Sequence, residues 1–150
     1  MHHRFRGLTA VVTGAGRGLG LGCARALALE GAEVVLVSRT QPELDTAVAA
    51  IQQAGGQARA FACDVTDPVA VIKLFDGLTR CDVLINNAGG NTPQPFLDVD
   101  VATLDRLLTL NVRSMFLVAQ AAARVMARTG GGAIVHMSSQ MGHVGGPQRS

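Results

Sequence analysis

Thr13-Gly14-Ala15-Gly16-Arg17-Gly18-Leu19-Gly20 completes the run Leu8 to Thr13 (LTAVVT) and leads into an apolar stretch ending near Glu30. The first run is β-rich. The second places Gly20, Cys23, Ala24, Leu27 and Ala28 on one helical face, with Gly31 as its stop. A glycine turn between a strand and a helix lets the backbone bend sharply and approach a ligand with no Cβ in the way. The helix start beyond it presents unpaired N–H groups and a positive dipole, which suit a phosphate. Taken alone, the same turn is also what a ligand-free bend would use.

The alternation continues outward from this turn. Glu33 to Ser38 (EVVLVS) reads as a second strand, and Pro42 opens a helix carrying Leu44, Ala47, Val48 and Ile51, closed by Gly55-Gly56. Gln57 to Cys63 forms a third strand. Asp67-Pro68 caps and starts a helix bearing Val71, Ile72 and Phe75. Asp82 to Asn86 (DVLIN) is a fourth strand, followed by a loop with Pro93 and Pro95. One long helix spans roughly 102–128, ended by Gly130-Gly131-Gly132, and Ala133 to Ser138 (AIVHMS) is a fifth strand. Near-continuous apolar strands joined through helices predict an α/β fold, a doubly wound parallel sheet covered on both faces. The long helix carries a stripe of Leu104, Leu107, Leu108, Met115, Val118, Ala122 and Val125, interrupted by the polar Asn111.

Composition narrows the function classes. The 150 residues are 48% hydrophobic and 16% charged, which fits one globular domain and excludes a disordered chain. A net charge of +2, with scattered basic residues, gives no footprint for nucleic acid. No apolar run is long enough for a membrane span, and no signal-peptide core precedes the first strand. Cys23, Cys63 and Cys81 form no CxxC pair, so reduced thiols in a cytoplasmic protein are expected. His2, His3, His136 and His143 show no metal-ligand spacing.

The turn departs from the GxGxxG fingerprint, because Leu19 stands at the last glycine position counted from Gly14. It fits TGxxxGxG through Thr13, Gly14, Gly18 and Gly20. Asp64-Val65 ends the third strand, and Asn86-Asn87-Ala88-Gly89 ends the fourth. Ile134 to Gly142 surrounds the fifth strand, with His136 where asparagine is usual. On these motifs, over essentially its whole length, the chain resembles the short-chain dehydrogenase/reductase family. The resemblance implies a Rossmann-type three-layer α/β/α architecture, of which strands one to five of the order 3-2-1-4-5-6-7 are present.

It also implies a dinucleotide held by Thr13, Gly14, Arg17, Gly18, Leu19, Gly20, Ser38, Arg39, Asp64, Val65, Asn87, Ala88 and Gly89. Enzymes that use NAD place an acid at the end of strand two to bond the ribose 2′-hydroxyl. Ser38 stands there instead, followed by Arg39, which with Arg17 can pair a 2′-phosphate. NADP(H) is therefore the preferred cofactor, with NAD(H) as the alternative.

Ser139 matches the family's catalytic serine, and Asn111 matches its helix asparagine, whose main-chain carbonyl holds a relay water. The substrate implied is a small-molecule carbonyl or secondary alcohol, bordered by Asn91, Thr92, Pro93, Gln94, Met141, His143 and Val144. The family's acid/base tyrosine lies in a YxxxK motif that would fall past Ser150, and the chain contains no tyrosine. Truncation before that motif is the expectation, with a homodimer or homotetramer for the full-length form. The 150-residue chain is expected to be inactive, with an unpaired fifth strand and an exposed helix stripe that make it poorly soluble. The alternative is a non-catalytic dinucleotide-binding or regulatory protein. An interaction module acting through the long helix is the weakest of the three readings.

Overall fold

A computed structural model describes residues 3–146. Its strands are β1 (Thr9–Thr13), β2 (Glu33–Ser38), β3 (Gln57–Ala62), β4 (Val83–Asn86) and β5 (Ala133–His136). They form one sheet in the order β3-β2-β1-β4-β5, and every pairing is parallel. The order reverses direction at β1, between β2 and β4. A doubly wound sheet opens a crevice at such a switch point, at the C-terminal ends of its strands.

Alternation along the central strands divides the core in two. Ala10, Val12, Val34 and Leu36 face α1 (Gly18–Leu29) and α2 (Gln41–Gln53), packing with Ala24, Ala28, Leu44, Ala47 and Ile51. Val11, Val35, Val37 and Leu84 face the other way, toward α3 (Pro68–Asp76) and α5 (Ser114–Arg128). They meet Val71, Leu74, Phe75, Val118, Ala122 and Val125 there. Burial on both sides is what the near-continuous apolar strands require. Asp67 caps α3 as its sequence indicates, its carboxylate accepting from the Val69 N–H at 2.9 Å.

At the opposite end of the sheet from the crevice, Asp82 ties β1 to the start of β4. Its carboxylate accepts the Thr9 N–H at 2.8 Å and pairs with Arg80 at 2.6 Å. Burial opposes the charge on Asp82, but the Arg80 guanidinium and the Thr9 N–H outweigh it and hold the carboxyl below its ordinary value.

The structure revises the sequence expectations at several places. The single long helix is three segments: α4 (Val101–Leu108), a π-helical turn over Thr109–Arg113, and α5. The expected stripe is therefore divided. Val118, Ala122 and Val125 are buried, whereas Leu104 and Leu108 are exposed. The extra residue of the π turn changes the phase of the helical repeat between the two halves. Ile72 is also exposed, and Leu74 takes its expected place in the core. β3 ends at Ala62 and β5 at His136, each short of its expected limit. Even so, Cys63 and Met137 still donate their N–H groups to Ser38 and Asn86 across the sheet. Among the described residues β5 pairs only with β4, and Val135 and Met137 are exposed there. No helix among them is long and apolar enough to cross a membrane.

Candidate functional site

The crevice is built around Thr13, the last residue of β1, which is wholly buried. Its hydroxyl accepts the N–H groups of Asn87 at 3.0 Å and Ala88 at 2.9 Å, and donates to Asn86 Oδ1 at 3.4 Å. One small side chain thus binds the ends of two neighbouring strands together. Asn87 returns the contact, its Nδ2 donating to the carbonyls of Thr13 and Gly14. Asn86 extends the network to the helix layer by donating to the Met115 carbonyl at 2.8 Å.

Two glycines let this network sit so close. Gly14 has φ +64°, and a Cβ there would come within 2.8 Å of Asn87 Nδ2. A Cβ on Gly20 would collide with the Gly14 carbonyl, so α1 can begin this near β1 only without a side chain. Arg17, the N-cap of α1, is extended and makes no side-chain cap, and the first turn holds no acidic residue. The helix start keeps its positive end toward the crevice.

A cleft of about 420 Å³ runs from this turn toward β2 and β3, lined among others by Gly14, Arg17, Leu19, Ser38, Arg39, Asp64, Val65, Asn87, Ala88 and Gly89. Ten of the thirteen cofactor residues expected from the sequence come together here. Thr13, Gly18 and Gly20 do not line the cleft; Thr13 and Gly20 act from beneath it, as backbone supports. Val37, Thr40, Glu43, Cys63 and Leu110 complete the wall and were not foreseen. The Asp64 carboxylate accepts the Thr66 N–H at 2.9 Å and the Thr66 hydroxyl at 2.7 Å. These bonds lower its pKa, with Arg39 adding a smaller pull in the same direction. Among the described residues neither Arg17 nor Arg39 is in an ion pair, so both guanidinium groups are available to an anion.

A second, more apolar cleft of about 810 Å³ adjoins the first, and the two share Leu19, Asn87 and Gly89. It is lined further by Gly90, Asn91, Asn111, Met115, His136, Met137, Ser138, Ser139, Met141 and Gly142. Ser139 is the N-cap of the short 3₁₀ turn Gln140–Gly142, and its Oγ accepts the Met141 N–H at 3.2 Å. That bond uses a lone pair and leaves the hydroxyl proton free to donate. Asn111 sits in the π turn and clasps the backbone of Gly90 from both sides. Its Oδ1 accepts the Gly90 N–H at 2.9 Å, and its Nδ2 donates to the Gly90 carbonyl at 2.8 Å. Of the expected substrate-bordering residues, Asn91 and Met141 line this cleft, whereas Thr92, Pro93, Gln94, His143 and Val144 do not. His136 lines it instead.

Cradle and clefts together make one groove, from Arg39 and Asp64 at one end to Ser139 at the other. Comparison with known proteins agrees with that geometry. A family model described as short chain dehydrogenase matches residues 8–150. Carbonyl reductase [NADPH] 2 of Sus scrofa is 40% identical over 145 residues, 96% of this chain and 58% of that protein. Among solved structures, a 7α-hydroxysteroid dehydrogenase complexed with NADH and 7-oxo glycochenodeoxycholic acid superposes with a TM-score of 0.90 at 38% identity. It covers 97% of this chain and 58% of the other. An NAD⁺-bound xylitol dehydrogenase superposes with a TM-score of 0.92 at 36% identity, with the same 97% and 58% coverage. The chain thus spans less than two thirds of the length of these relatives.

Proposed function

The chain belongs to the short-chain dehydrogenase family, and on that premise we propose that it forms the cofactor-binding part of an NADP(H)-dependent oxidoreductase acting on a carbonyl or secondary alcohol. One observation carries the reading: the two clefts join at Leu19, Asn87 and Gly89, so that an anion-binding end and a serine hydroxyl face a single groove. The fit to a dinucleotide rests on the cradle, where Gly14 and Gly20 leave no room for a side chain and α1 presents an uncapped N-terminus.

In this assignment Asp64 and Val65 border the adenine, and Ser38, Arg39 and Arg17 take the 2′-phosphate. The turn from Gly14 to Gly20 takes the diphosphate, and Asn87, Ala88 and Gly89 border the nicotinamide half. A nicotinamide bound there would supply the hydride chemistry, as donor or acceptor. The Ser139 hydroxyl would donate a hydrogen bond to the substrate oxygen and stabilise charge there as the adjacent carbon changes hybridisation. The Asn111 side chain is committed to Gly90, which leaves its main-chain carbonyl as the group that would hold a relay water. The sequence contains no tyrosine, so the acid/base step is proposed for the whole protein and not for these 150 residues. The exposed apolar face of Leu104, Leu108, Val112 and Phe116 is the surface we assign to self-association, as a homodimer or homotetramer.

Calorimetric titration of the chain with NADP⁺ and NAD⁺ tests the assignment. Arg39→Asp should weaken NADP⁺ binding by about tenfold or more, the worth of a charge-assisted pair to phosphate, and leave NAD⁺ binding equal or tighter. Unchanged NADP⁺ affinity in that variant would refute the 2′-phosphate assignment.

A further inference from the structure

The adenosine end of the groove holds one group that works against its two arginines. Thr40-x-x-Glu43 at the start of α2 has the spacing of a capping box, in which the glutamate accepts the N–H of the capping threonine. The box is not formed. The Thr40 N–H is taken by Ser38 Oγ at 3.3 Å, and the Thr40 side chain makes no cap. Glu43 is left without a hydrogen-bond or ion-pair partner among the described residues, and it lines the cleft.

Its carboxylate lies beside the glycine turn. A Cβ placed on Gly16 would lie 2.9 Å from Glu43 Oε2 and 3.2 Å from Ser38 Oγ. The carboxylate and the serine hydroxyl therefore flank the same point beside the glycine turn, and only the missing side chain at residue 16 keeps that point open. The end of β2 supplies a serine where an acid would select the ribose hydroxyl. The first turn of α2 brings a carboxylate back to the same place from another element.

We propose that Glu43 is a specificity-determining residue for the cofactor, opposing the 2′-phosphate of NADP(H) while offering an acceptor to the ribose hydroxyl of NAD(H). The inference rests on the dinucleotide reading above and deepens it. Arg17 and Arg39 attract the phosphate, Glu43 offsets part of that attraction, and the chain accepts both dinucleotides with a smaller preference than its arginines alone would give. The offset is a Coulomb effect across solvent-filled space. At near-bulk dielectric, a doubly charged phosphate within about one Debye length of a carboxylate corresponds to about a three- to tenfold change in affinity.

The test is the ratio of dissociation constants, Kd(NAD⁺)/Kd(NADP⁺), measured by calorimetry on the unmodified chain, on Glu43→Gln and on Glu43→Ala. Glu43→Gln keeps the shape and removes the charge, and Glu43→Ala removes both. Both variants should raise the ratio by about three- to tenfold at low salt, and the rise should shrink at about 0.5 M salt, where the Debye length falls to a few ångströms. A ratio unchanged in both variants overturns the inference while leaving the dinucleotide reading intact. Equal loss of affinity for both dinucleotides would make Glu43 a structural residue and overturn it as well. If the unmodified chain binds neither dinucleotide, the inference falls together with the reading it rests on.

Discussion

Thr13→Val isolates the hydrogen bonds that hold the crevice together. Valine has nearly the shape of threonine, so the wholly buried site keeps its packing while losing the hydroxyl. Two backbone N–H groups, those of Asn87 and Ala88, then lose their acceptor, and Asn86 Oδ1 loses a donor at the longer distance of 3.4 Å. A buried amide left without a partner costs about 1–3 kcal/mol. Asn87 and Ala88 are half-buried, and water admitted at the cleft side recovers part of that cost. The expected destabilisation is about 2 kcal/mol, which lowers the melting temperature of a domain this size by roughly 4–8 °C. Urea unfolding followed by circular dichroism measures it directly. Dinucleotide binding should weaken in parallel, because the ends of β1 and β4 are then joined at the crevice by the Asn87 side chain without the Thr13 hydroxyl. A variant within about 0.5 kcal/mol of the unmodified chain would show that Thr13 is a packing residue and that the crevice is held elsewhere.

Two further outcomes concern Asp82 and the three cysteines. Asp82 has its folded pKa lowered below the ordinary 3.8, so its stabilisation is present above that pH and is lost as the pH falls through the folded value. The stability difference between the unmodified chain and Asp82→Asn should be constant near neutrality and shrink below about pH 4, and a difference as large at pH 3 as at pH 7 would contradict the pairing with Arg80 and Thr9. The three thiols should separate under a soluble thiol reagent at about pH 8. Half-buried Cys23 should react first, ahead of Cys63 and Cys81, whose thiols burial pushes up to about 11 and about 12. Three equal rates would mean that the core opens readily.

The five strands, their parallel arrangement and the glycine cradle were legible in the sequence because each depends on local chemistry. Apolar runs, glycine turns and capping residues act within a few positions of themselves. The features that escaped are those set by distant partners. Glu43 is not singled out in the sequence; its exposure to the cleft depends on Ser38, from the preceding strand, taking the Thr40 N–H that a capping box would give it. The apolar spacing from Leu104 to Val125 fits one uninterrupted helix, and nothing in that pattern marks an added residue. Asn111 engages Gly90 across 21 positions of sequence, and only the folded chain brings the two together. Thr13 is expected at the ligand because motif residues are read as contacts, whereas in the fold it is wholly buried and holds the backbone of Asn87 and Ala88, which line the cleft.

The π turn at Thr109–Arg113 also bears on how this stretch of chain tolerates change in length. An extra residue in a helix acts as an offset of about 100° between the parts on either side. A one-residue deletion within it would restore a regular spiral, yet α4 would then rotate as a body relative to α5. The amide of Asn111 would swing off Gly90 even with every side chain around it unaltered. Substitution and deletion are thus unequal hazards in this segment: the first edits a contact, and the second re-aims everything upstream of it.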